Sequence, residues 1–212
     1  PAKKANIRQS IVERFGNDLH WQKLQSLAYG PQISEAQLFD GVLAFVSVMI
    51  KQGHELFIVS HKSVRSHFNP NIKLRDHALS FMKQCGLVAP EMIPEQHVFF
   101  AQTLTDKVEK IANLKLDVFV DDLGKVLLHE CFPQYTVGIK YNGSKTEGAL
   151  YADDWQQISH YIDRLKYLRT RSPLSKCELT AFLKCFNVLP NEVETLKRDG
   201  NNQIYQVSSG QQ

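Results

Sequence analysis

No apolar run in this chain reaches the ~18 residues that a membrane-spanning helix needs. The longest, residues 42–50, falls well short and follows a turn. The four cysteines, Cys85, Cys131, Cys177 and Cys185, form no CxxC pair and no zinc spacing. That excludes a zinc ribbon and makes reduced thiols in a cytoplasmic protein the expectation. No signal peptide opens the sequence at Pro1. Charge of one sign is scarce too: 25 basic residues face 22 acidic ones, for a net charge of +3, with no basic block of five or six. Nothing in that balance points to a nucleic-acid or membrane partner. No Gly-rich phosphate loop follows any candidate strand, which disfavours the common nucleotide-binding domains. What remains is an ordinary globular composition, 43% hydrophobic and 22% charged over 212 residues. A chain of that length buries roughly 70% of its unfolded surface and needs no staples.

The apolar residues alternate between two periods. Ile7, Ile11, Val12 and Phe15 recur at helical spacing, and Trp21, Leu24 and Leu27 do so over 19–27, with Gly16-Asn17-Asp18 between them. This predicts a small helical hairpin with Trp21 in its core. Phe39-Asp40-Gly41 then leads into a helix whose face is Val42, Phe45, Val46, Met49 and Ile50. Leu56-Phe57-Ile58-Val59 is a continuous apolar run, the mark of a strand covered on both faces. The alternation repeats: helix 74–85, strand 98–100, helix 106–114, strand 118–120, short helix 126–131, strand 136–141, and a Gly/Ser/Asn loop over 142–148. Helices interleaved with buried strands predict an α/β domain on a mostly parallel sheet. Beyond Leu150 the spacing is helical, through Trp155, Ile158, Tyr161, Ile162, Leu165 and Leu168, with Asp153-Asp154 as a natural start. Ser175 and Glu178 form a capping box before another helix. Asn191 with Glu194 begins a short helix stopped by Gly200, and Ile204 to Val207 begin a strand with no returning partner.

In open α/β sheets ligands bind beyond the carboxyl ends of the strands. Two polar groups fall there: Ser60-His61-Lys62 after the first strand, and Asp121-Asp122 after 118–120. Lys107, at the start of the preceding helix, is a third candidate. Adjacent carboxylates repel unless a cation shares them, and Mg²⁺ uses one or two carboxylates, completing its shell with water and phosphate. The competing role for Asp122 is to cap the 123–131 segment, with Asp121 facing solvent. A serine hydroxyl can donate to a phosphoryl oxygen, and a lysine can neutralise phosphate charge. Each is also a common cap or a solvated helix residue. His61 and Lys62 are candidates for substrate contact.

The order of these groups resembles the haloacid-dehalogenase-like phosphohydrolase superfamily over residues 36–141. Phe57-Ile58-Val59-Ser60 matches that family's second motif, Lys107 its third, and Val118-Phe119-Val120-Asp121-Asp122 its fourth. The resemblance implies a Rossmann-like parallel sheet with helices on both faces and a small helical cap. It also implies that Ser60 and Lys107 hold a transferring phosphoryl group and that Asp121 and Asp122 hold Mg²⁺. The implied substrate is a small phosphorylated molecule. The family's first motif, an apolar strand ending in Asp-x-Asp whose first Asp is the nucleophile, occurs nowhere in the chain. That strand is the centre of the family's sheet, so its absence would leave two inner strand edges unpaired.

Four segments are expected: a helical cap at 1–35, the α/β core at 36–150, a helical extension at 151–200, and the start of a further domain at 201–212. The last rests on a likeness of Asp199 to Val207 to the opening strand of aminoglycoside-phosphotransferase-like kinases, implying a fused kinase-like domain. With the missing motif, the absent initiator Met and the half hairpin, a fragment lacking its nucleophile is the expectation. A non-catalytic binding or regulatory module of the same fold is the alternative.

Overall fold

The computed structural model describes residues 4–170, 192–199 and 202–208. The backbone divides into two compact units, Pro1–Gln157 and Ile158–Gln212.

The first unit opens with α1 (Lys4–Phe15) and α2 (Leu19–Ala28), the expected helical hairpin. Its turn is held by Asn17, whose side chain accepts from Leu19 N–H at 3.0 Å and donates to the Phe15 carbonyl at 3.2 Å. Arg8 pairs with Asp18 across the hairpin, and its hydrogen bond holds the Asp18 carboxyl below the usual carboxylate range. Trp21 is buried, as the spacing predicts. A 3-10 turn, Pro31–Glu35, follows and packs on α4 (Leu74–Gln84). Gly30 sits at that junction because a β-carbon there would overlap the Ser26 carbonyl and lie 2.6 Å from the Ile72 side chain.

Helix α3 (Val42–Lys51) starts at Gly41, whose φ of +83° is a left-handed turn that favours glycine. Val46 and Met49 are its buried face. Strand β1 spans Ile58–His61 and pairs in parallel with β2 (Val98–Ala101). The pairing begins two residues later than the apolar run 56–59 suggests, because the Leu56 carbonyl faces the His97 ring at 3.1 Å instead of the ladder. Ser60 and His61 therefore lie within the strand, as its last two residues, and not after it.

Next come α5 (Leu104–Asn113), β3 (Val118–Asp121), the one-turn α6 (Gly124–Leu127), β4 (Val137–Tyr141) and β5 (Leu150–Ala152). Strand β5 corrects the reading of a purely helical region after Leu150. It adds to β4 in parallel with Ile139 opposite Leu150, and α7 (Trp155–Thr170) begins only after it. Asp154 accepts from Gln157 N–H at 2.8 Å, the expected role at that helix start.

The mostly parallel α/β class stands, but the sheet is in two pieces. One holds β1 and β2, the other β3, β4 and β5, each parallel within itself. Helix α5 lies between β2 and β3 in the chain and packs on both β1 and β2. One apolar cluster joins the pieces: Val59 of β1, Val108 and Ile111 of α5, Phe119 of β3, and Val126 and Leu127 of α6. Among the described residues β1 is hydrogen-bonded only to β2, and β3 only to β4.

In the second unit, β6 (Glu192–Asp199) and β7 (Asn202–Ser208) form an antiparallel hairpin with Val193 opposite Val207. This replaces both the short helix expected over 191–200 and the half hairpin expected after it. Asp199 pairs with Asn202, where the sequence reading takes Gly200 for a helix stop. Residues 202–208 pair with 192–199 instead of opening alone. The helix expected after Ser175 lies outside the described residues, as do Cys177 and Cys185. No helix of the described residues is long and apolar enough to cross a membrane.

Candidate active site at the strand ends

Helix α5 begins in a full capping box. Thr103 accepts from Asp106 N–H and Asp106 accepts from Thr103 N–H, both at 3.0 Å. The cap fixes the first turn, and Lys107 is the residue after Asp106 in that turn. Val108 and Ile111 are fully buried, so the helix presents this side to the sheet and carries Lys107 with it.

Asp121 is the last residue of β3, where alternation buries Phe119 and Asp121 and leaves Val120 between them. The Lys107 ammonium forms a buried ion pair with Asp121 Oδ2, both residues being less than a tenth exposed. Asp121 Oδ1 accepts from Leu123 N–H at 2.8 Å, and Lys107 Nζ lies 5.3 Å from the Phe119 ring centre. A buried ammonium or carboxylate alone is costly, so each holds the other in place. Residues 14 apart in sequence thus meet at the carboxyl end of the strands.

Ser60 is the next-to-last residue of β1, one residue after Val59 of the shared apolar cluster. It is half-buried, and its hydroxyl makes no hydrogen bond with Lys107 or Asp121 among the described residues. Asp122 is exposed. It does not cap a 123–131 helix: α6 is a single turn starting at Gly124, and the N–H of Leu123 is taken by Asp121. The neighbouring carboxylate has taken the short-range partner, which leaves Asp122 open to solvent.

His61 is exposed, with Nε2 3.0 Å from the Gln102 carbonyl. Lys62 leaves the strand with its N–H on the Ala101 carbonyl at 3.0 Å, while Arg75 Nε donates to its carbonyl at 2.9 Å. His61 and Lys62 are therefore brought to the same rim as Ser60, but neither contacts the Lys107–Asp121 pair.

One cation at this end escaped the sequence reading. Lys140 stands opposite Asp121 in the β3–β4 register and is buried, its ammonium donating to the carbonyls of Tyr141 and Asn142. A lysine inside the otherwise apolar 137–141 run was the available signal, since a strand covered on both faces rarely spends a charge.

Two adjacent carboxylates, one buried and one open to water, match the number that Mg²⁺ ordinarily takes from protein. Each oxygen of Asp121 already accepts one hydrogen bond, and a carboxylate oxygen has a second lone pair to offer. Among the described residues no three His, Cys, Asp or Glu side chains gather as a metal cluster. Two carboxylates would leave most of a Mg²⁺ shell to be filled by other ligands. No family model, no curated protein and no solved structure matches the chain.

Proposed function

We propose that residues 36–152 are the core of a Mg²⁺-dependent phosphohydrolase of the haloacid-dehalogenase-like, Rossmann-like kind, acting on a small phosphate ester. The observation that carries this reading is the buried Lys107–Asp121 pair at the carboxyl end of parallel strands. In this reading the Ser60 hydroxyl donates to a phosphoryl oxygen and Lys107 neutralises phosphoryl charge while staying anchored by Asp121. Phosphoryl transfer depends mainly on such positioning and charge neutralisation. Asp121 and Asp122 would hold Mg²⁺, which when bound supplies further charge neutralisation to the phosphoryl oxygens.

The nucleophile is not among these groups, because no Asp-x-Asp occurs in residues 1–212. The free edges of β1 and β3 suit a further parallel strand, and a strand ending there in Asp-x-Asp would bring its carboxylates to the same end as Ser60. The chain by itself is therefore expected to hydrolyse p-nitrophenyl phosphate with Mg²⁺ no faster than buffer. Turnover abolished by Ser60→Ala or Asp121→Asn would place the nucleophile within these residues and overturn that part of the account.

A second reading is favoured by the same missing motif: a non-catalytic module that keeps the phosphate-binding end and serves a neighbouring kinase-like domain. The coding region before Pro1 separates the two. An in-frame apolar strand ending in Asp-x-Asp supports the enzyme, and a start codon at or beside Pro1 supports the module.

A further inference from the structure

A second group of positive charge lies on the loop that leaves β1, apart from Lys107. Lys62 follows Ser60 by two positions, roughly 7 Å along extended backbone. Its main chain is pinned on both sides by Ala101 and Arg75. Its ammonium lies 4.9 Å from the centre of the Tyr29 ring. Lys4 of α1 approaches the same ring, 5.0 Å from its centre, donates to the Tyr29 hydroxyl at 3.2 Å, and stands 5.9 Å from the ring of buried Trp21. Neither lysine takes part in a salt bridge among the described residues. Burial first, and the Lys4 charge second, pull the Lys62 ammonium below the usual lysine range. A ring face attracts each ammonium but cancels neither charge. Two cations on one exposed tyrosine ring are an arrangement that an anion completes.

We propose that Lys62, Lys4 and Tyr29 form a seat for an anionic group, so that the ligand of this chain carries a carboxylate or second phosphate besides its phosphoryl end. The identity of the other end rests on the phosphohydrolase reading; the seat itself does not. Ser60 and Lys62 stand two positions apart in the chain, so the ligand expected is a short molecule with two anionic groups.

The test compares ethyl phosphate, phosphoglycolate and propane-1,3-diyl bisphosphate by calorimetric titration, with inorganic phosphate followed at the Tyr29 ring by NMR. Both doubly anionic probes, or one of them, should bind about tenfold more tightly than ethyl phosphate, the effect of one charge-assisted contact. Which of the two is favoured tells carboxylate from phosphate. That advantage should fall to near unity in Lys62→Gln and shrink in Lys4→Gln. Equal affinities for the three esters, no binding of any probe, or an advantage that survives both substitutions would overturn the seat. If ethyl phosphate fails to bind and Ser60→Ala changes nothing, while inorganic phosphate still shifts the Tyr29 ring in a Lys62-dependent way, the seat stands and the phosphohydrolase reading falls.

Discussion

Replacing Asp121 by Ala is expected to destabilise the first unit by about 3–5 kcal/mol, the cost of leaving one member of a buried ion pair without its partner. Lys107 is 8% exposed and its ammonium rests on Asp121, so the substitution strands a positive charge among Val108, Phe119 and the rest of the apolar cluster. The substitution also removes the acceptor of the Leu123 N–H. A chain of this size should lose roughly 2–4 °C of melting temperature for each kcal/mol, so thermal denaturation followed by circular dichroism resolves the effect easily. Lys107→Met alone should cost a similar amount by stranding the carboxylate. The double variant Lys107→Met/Asp121→Leu should recover most of the loss, because a buried pair replaced by apolar groups of similar volume is often neutral. Losses that simply add, or a single-variant cost below about 1 kcal/mol, would mean that the pair is a solvated surface contact.

Packing carries the second large effect. Among the described residues no hydrogen bond of the sheet ladder joins the β1–β2 piece to the β3–β4–β5 piece, and Ile111 is fully buried in the cluster that contains Val59 of β1 and Phe119 of β3. Ile111→Ala removes that contact and opens a cavity, at a cost of about 2–5 kcal/mol. Val48, on the exposed side of α3, serves as the control; its replacement by Ala should change stability by no more than about 0.5 kcal/mol. Denaturant unfolding measures both. Native-state hydrogen exchange should show the amides of β1 and β3 losing protection together in Ile111→Ala, since the same side chain steadies both strands.

The parts legible in the sequence are those that short-range physics decides. The spacing of Val108 and Ile111 marks the buried side of α5, and the continuous apolar run 118–120 marks a strand covered on both faces. Asp121 stands out because it adjoins Asp122 at a strand end, where paired carboxylates repel unless a cation shares them, and Lys107 because a helix-borne cation there can neutralise phosphate charge. That they are each other's partner was not legible, since it depends on α5 folding back over the sheet. Strand β5 escaped because three residues carry too little period to separate it from a helix start. The hairpin of β6 and β7 escaped because Asn191 with Glu194, and Gly200 after them, look the same as a helix start and stop until the pairing of Asp199 with Asn202 is known. The approach of Lys4 to Tyr29 is a long-range fact, invisible to any window along the chain, whereas Lys140 was legible as a charge inside the apolar 137–141 run.

The central claim is that Ser60, Lys107 and the Asp121-Asp122 doublet surround one phosphate position. Amide NMR of the isotopically labelled chain, titrated with ethyl phosphate in the presence of Mg²⁺, tests it most directly. The amides of Ser60, Lys107 and Asp122 should shift together along one binding curve, and Ser60→Ala should weaken that curve by about tenfold, the loss of one hydrogen bond to a charged group. Shifts confined to one of the three segments, separate curves for each, or a curve that Ser60→Ala leaves unchanged would contradict the account.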